Sequence, residues 1–87
     1  MAEPSDARRR RLQYQASRRG FKEADLAIGG FAHAFLDAMT EPELDEFERL
    51  LQWPDWLLYR WIVGEEPPPD DAAGPVLTRM MERLGES

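Results

Sequence analysis

Few side chains in this chain could do chemistry on their own. His33 is the single histidine and cysteine is absent, which excludes disulfides, thiolate metal sites, thiol nucleophiles and any zinc site built on two histidines. A Ser/His/Asp triad would have to use His33. It lies one helical turn from Gly29 and Asp37, outside the main apolar stripe, and reads as an ordinary surface or boundary residue. Glu41, Glu43, Asp45, Glu46 and Glu48 lack an interleaved ligand geometry and read as a solvated helix face, so no metal is expected. Two other groupings remain, and both suit binding better than bond-making. Arg8 to Arg11 could grip phosphates, although the nearby stacking aromatics are limited to Tyr14, so the run reads as a solvated basic end. Trp53, Trp56 and Trp61 are dense for 87 residues. Trp61 suits a core, and at least one of Trp53 and Trp56 is expected to stay partly exposed, available to a partner.

The sharpest local feature is Arg18-Arg19-Gly20-Phe21-Lys22-Glu23-Ala24-Asp25-Leu26. It sets opposite charges around a glycine suited to a left-handed break after a helix. Glu23, in the first turn of the next helix, is favoured by the helix dipole and could pair with Arg19 across the turn. Such a corner either simply turns the chain or also docks a partner; its residues alone leave both open.

The elements that must position these groups are helices. Val and Ile together occur four times, and no stretch alternates as a strand does. A first helix is expected from about Ala7 to Ser17, with Leu12 and Ala16 one turn apart. A second, about Lys22 to Ala38, carries Ala24, Ala27, Ile28, Phe31, Phe35 and Ala38 at spacings of three and four. Gly29 and Gly30 inside it suggest a close helix crossing. Thr40 with Glu43 three residues on, and Pro42 between them, is a capping box for a third helix. Its Leu44, Phe47, Leu50 and Leu51 face inward, with Asp45, Glu46, Glu48 and Arg49 outward. A short fourth helix is capped by Asp55, buries Leu57, Leu58, Trp61 and Ile62, and stops at Gly64. Glu65 to Gly74, with three prolines and four carboxylates, reads as a semi-rigid solvated connection. Pro75 opens a fifth helix through Val76, Leu77, Met80, Met81 and Leu84, with Gly85 as its C′ residue. The fold expected is all-α, a compact five-helix bundle: residues 1–6 a flexible N-terminus, 7–85 one helical domain, 86–87 a tail.

Charge is uneven. Eleven basic residues face seventeen acidic ones, a net −6, yet up to Glu23 seven basic groups oppose three carboxylates, and beyond it four oppose fourteen. That polarity suits oriented docking on a protein, whereas the acidic body argues against wrapping nucleic acid. No apolar run reaches the roughly 18 residues of a membrane span, and the start lacks the basic and apolar regions of a leader, so bacterial cytoplasm is the expected compartment.

Arg19-Gly20-x-x-Glu23 with Asp25 resembles the signature of the SdhE family, the flavinylation factors for succinate dehydrogenase. Tyr14 before the glycine, Met39-Thr40-Glu41, Leu50-Leu51, Pro54-Asp55, Leu58-Tyr59-x-Trp61 and Pro67 to Pro69 fall in the order that family shows. The similarity runs from about Arg8 to Leu84 and is closest to alphaproteobacterial members with an Arg-rich start. It implies a small assembly chaperone, not an enzyme. Such a chaperone binds the flavoprotein subunit of succinate dehydrogenase, or of fumarate reductase, and promotes covalent attachment of FAD to a client histidine. FAD would be held by the client, and the factor would bind none stably and be a monomer when free. On that resemblance Arg18, Arg19, Gly20, Glu23 and Asp25 are the client-binding residues; apart from it, Tyr14, Trp53, Trp56 and Tyr59 are expected as additional interface. Members often carry a second acidic residue after Pro-Asp, where this chain has Trp56-Leu57, so the fourth-helix surface is the part that does not carry over. The other class of function the residues allow is a small adaptor or regulator that binds nucleic acid or protein through the Arg-rich first helix.

Overall fold

In the structure, a computed structural model describing residues 3–84, five α-helices follow one another: α1 (Ser5–Ser17), α2 (Lys22–Phe35), α3 (Glu41–Leu50), α4 (Asp55–Ile62) and α5 (Pro75–Leu84). No strand occurs among the described residues. The Cα radius of gyration of 12.1 Å equals the value of about 12 Å expected for a compact chain of this length. Trp61, Phe31, Phe47, Leu12, Ile28 and Met80 are the larger side chains of one continuous core. Residue Gly85, expected as a C′ cap, lies outside the described residues.

α1 starts at Ser5, two residues before the expected Ala7, and buries only Leu12 and Ala16. It lies against α2, where Gly29 makes the close crossing possible: a Cβ there would stand 2.8 Å from Ser17 Oγ and 3.0 Å from Ser17 Cα. Gln13 Nε2 donates to the Gly29 carbonyl at 3.1 Å across the same seam. Gly30 faces open space and needs no such account.

α2 gives up its α-helical pitch at Phe35, and Leu36–Ala38 tighten into a 3-10 turn. The expected stripe therefore shifts at its end. Ala38 is exposed, and Ala32 and Leu36 are buried in its stead. The Arg9 guanidinium donates to Leu36 O at 3.1 Å, which also accepts from Met39 N, and to Met39 O at 2.7 Å, as a basic side chain at a helix C-terminus does.

The capping box of α3 forms as its sequence predicts: Glu43 N donates to Thr40 Oγ1 at 3.4 Å and Thr40 N to Glu43 Oε1 at 2.8 Å. Glu46, expected outward, is instead 7% exposed. Its two carboxylate oxygens accept from Val76 N at 3.1 Å and Leu77 N at 3.0 Å, so it caps α5 from 30 residues away. α4 ends at Ile62, and Gly64, just past its C-cap Val63, has a left-handed φ of 82° that suits glycine. Asp55 does not cap α4. Pro54 holds the N-cap position, and the Asp55 carboxylate turns to another partner. The segment between α4 and α5 is irregular yet not merely solvated, since Ala72 is buried and its N–H reaches Pro69 O at 3.0 Å.

The capping box carries a pH dependence with a fixed sign. Hydrogen bonding from the Thr40 N–H, with Arg79 nearby, holds the Glu43 carboxyl below the usual carboxylate range. Its stabilisation is present above the ordinary value of about 4.3 and is lost as pH falls through the lowered folded value. Thr40→Ala is expected to cost about 1 kcal/mol near pH 7, a fall of roughly 4–8 °C in Tm. The gap in Tm between the unaltered chain and Glu43→Gln is expected to narrow at acid pH, read by thermal circular dichroism at pH 7 and near pH 3.

Candidate functional site

Four residues, Arg18 to Phe21, join α1 to α2, and their side chains go in alternate directions. Arg18 is exposed and lies over the Tyr14 ring at 4.5 Å, a cation–π arrangement one turn back along α1. The Arg19 side chain is 7% exposed. Its guanidinium donates to Trp53 O at 3.1 Å and pairs with Asp55 Oδ1 at 2.8 Å, while its amide N–H donates to Asp25 Oδ1. Gly20 is exposed. The half-buried Phe21 ring meets Tyr59 edge-on at 5.3 Å. The corner is thereby tied to α2 by Asp25 and to α4 by Asp55 and Tyr59.

Two expectations are corrected here. Gly20 is not in the left-handed region, since Gly64 alone among the described residues has positive φ. Space, not backbone conformation, restricts it: a Cβ at Gly20 would stand 2.6 Å from Asp55 Oδ2. Nor does Glu23 pair with Arg19. Asp55 occupies that guanidinium, and Glu23 stands exposed in the first turn of α2 with no side-chain hydrogen bond or ion pair among the described residues.

The structure brings together Arg18, Arg19, Gly20, Glu23 and Asp25, but divides their roles. Arg19 and Asp25 face inward and brace the corner, and Arg18, Gly20 and Glu23 face solvent. Among the aromatic candidates, Trp53 is half-buried with its ring edge-on to Trp61 at 5.2 Å. Trp56 is 57% exposed beneath Arg60. Tyr14, Leu26 and Trp56 are the large apolar side chains exposed among the described residues, and each sits on an element the corner ties together. Leu26 was not anticipated as a site residue. Its signal is its position two residues from both Ala24 and Ile28, which turns it away from the buried stripe of α2.

The Arg-rich run is not a solvated basic end. Arg8, 16% exposed, reaches Glu41 at 3.2 Å, Asp45 at 2.6 Å and Glu48 at 3.0 Å, and hydrogen bonding to Asp45 raises its pKa above the ordinary value. Arg11 pairs with Glu3 at 2.7 Å and Glu48 at 3.1 Å, and Arg9 is committed to the carbonyls after α2. Of the carboxylates read as a solvated face of α3, Glu41, Asp45 and Glu48 are partners of α1, while Glu43 and Glu46 are engaged by α5. Three of four guanidiniums are thus committed inside the fold, which removes the basis for an adaptor gripping nucleic acid through this helix. Among the described residues, no cluster of three His, Asp or Glu is placed to hold a metal ion, and no helix is long and apolar enough to cross a membrane.

A family model described as flavinator of succinate dehydrogenase matches residues 10–86. The FAD assembly factor SdhE of Acetobacter pasteurianus is 47% identical over 76 residues, covering 87% of this chain and 70% of that relative. The mitochondrial succinate dehydrogenase assembly factor 2 of Saccharomyces cerevisiae is 39% identical over 88 residues, covering 98% of this chain and 54% of the yeast protein. The protein of the same description from Scheffersomyces stipitis is 39% identical over 83 residues, covering 92% of this chain and 56% of the relative. This chain therefore spans little more than half the length of its yeast relatives.

Proposed function

The chain belongs to the family of flavinators of succinate dehydrogenase, and from that membership we propose that it is an assembly chaperone that binds the flavoprotein subunit and promotes covalent attachment of FAD to it. The observation that carries the reading is the family match across nearly the whole folded region, the Arg19-Gly20-x-x-Glu23 corner included. The flavin stays with the client. The bond-forming chemistry belongs to the flavin and the client histidine, and this chain, no enzyme itself, contributes binding energy to one client conformation. Holding the client where flavin and histidine are aligned raises the population from which the bond forms.

In this reading the outward Arg18, Gly20 and Glu23 meet the client, while Arg19 and Asp25 keep the corner rigid from behind. Tyr14, Trp56 and Leu26 supply apolar anchors of the kind that dominate binding energy, with Tyr59 and Trp53 supporting them. The factor works as a monomer in the bacterial cytoplasm, and fumarate reductase is a second client of the same chemistry. The test is in-gel flavin fluorescence of the denatured flavoprotein subunit from cells that lack their own factor. Supplying this chain is expected to restore the fluorescent band, and a band no brighter than in cells without it would sink the reading.

A further inference from the structure

Position 20 holds a glycine that the backbone does not demand, since its φ is not positive. What excludes a side chain is the start of α4. A Cβ built on Gly20 would lie 2.6 Å from Asp55 Oδ2, 3.6 Å from Asp55 Cγ and 3.8 Å from Asp55 Cβ. Through its other oxygen the same carboxylate holds the inward-turned Arg19 at 2.8 Å. One carboxylate thus pairs with Arg19 and fills the space a side chain at Gly20 would need, from 36 and 35 positions further along the chain. On the opposite side the Arg19 amide is held by Asp25.

We propose that Asp55 is a positioning residue for the docking corner. It draws Arg19-Gly20 onto α4, so that Gly20, Phe21 and Glu23 are presented with Trp56 and Tyr59 as one preorganised surface. The requirement for glycine at position 20 is then set by Asp55 within this chain and not by the client. The inference rests on the reading that this corner meets the flavoprotein. Its physical content is preorganisation: a corner already fixed in its bound geometry loses less freedom on binding.

The experiment is a double-mutant cycle of Gly20→Ala, Asp55→Ala and the pair, with Kd for the purified apo-flavoprotein subunit of succinate dehydrogenase measured where circular dichroism shows every variant folded. Each single change is expected to weaken binding on the order of tenfold. In the double variant the two β-carbons meet at 3.8 Å, an ordinary contact, so it is expected to bind within about twofold of Asp55→Ala alone. Asp55→Ser repeats the cycle without the carboxylate and with a residue that favours helix starts, should Asp55→Ala fold poorly. The proposal is overturned if Gly20→Ala costs the same factor with and without Asp55, because the client would then impose the glycine. It is equally overturned if Asp55→Ala and Asp55→Ser bind as the unaltered chain does. Failure of the unaltered chain to bind the flavoprotein counts against the functional reading alone. The coupling is then read in thermal unfolding, where Gly20→Ala is expected to lower Tm only while Asp55 is present, and equal losses in both backgrounds would overturn it.

Discussion

Glu46→Ala is expected to lower the melting temperature by more than about 10 °C, the largest loss of stability for any single polar residue of the fold. The carboxylate is nearly buried and accepts from two backbone N–H groups in the first turn of α5. Removing it strands both donors, at about 1–3 kcal/mol each. It also removes negative charge from a helix N-terminus, where the dipole favours it. α5 lies against α3 and α4 and contributes Val76, Leu77 and Met80 to the core, so its first turn cannot fray without exposing apolar surface. Glu46→Gln keeps one accepting oxygen and is expected to fall between the two. Gly74→Ala tests the same contact from the other side, since a Cβ there would stand 2.6 Å from Glu46 Oε2 and 2.7 Å from its Cδ. Thermal circular dichroism checks all three. A Glu46→Ala chain melting within about 2 °C of the unaltered one would show that α5 holds without its cap.

Glu46 also marks where sequence reasoning stops. The helices, the Thr40–Glu43 box and the stop at Gly64 were legible because each is specified by neighbours within a turn or two. The burial of Glu46 depends on where α5 arrives 30 residues later, and spacing within α3 places it on the polar side. The same holds for Arg8 and Arg9, whose carboxylate and carbonyl partners lie 27 to 40 residues away. Four consecutive arginines look like a free basic end until α3 and the turn after α2 are packed against them. At the corner, Arg19-Gly20-x-x-Glu23 was visible as a motif, but its division of labour was not. Nothing local tells Arg19 to turn inward to Asp55 while Glu23 stays in water.

That division yields the second large effect, a contrast between two variants in the same motif. Gly20→Arg is expected to abolish covalent flavin on the client and also to destabilise the chain, because its Cβ meets Asp55 at 2.6 Å and the corner must leave α4 to admit the side chain. Glu23→Ala is expected to reduce covalent flavin severely with little change in folding. An exposed first-turn carboxylate contributes only about 0.3–1 kcal/mol to its helix, and this one makes no side-chain hydrogen bond or ion pair among the described residues. The pair is read by in-gel flavin fluorescence in cells lacking their own factor, alongside Tm for each purified variant. If Glu23→Ala lost flavin only in proportion to a lowered Tm, its carboxylate would matter to the helix and not to the client. If both variants restored fluorescence as well as the unaltered chain does, Arg18 to Asp25 would do no more than turn the chain from α1 into α2. The client surface would then have to be sought on α4, around Trp56.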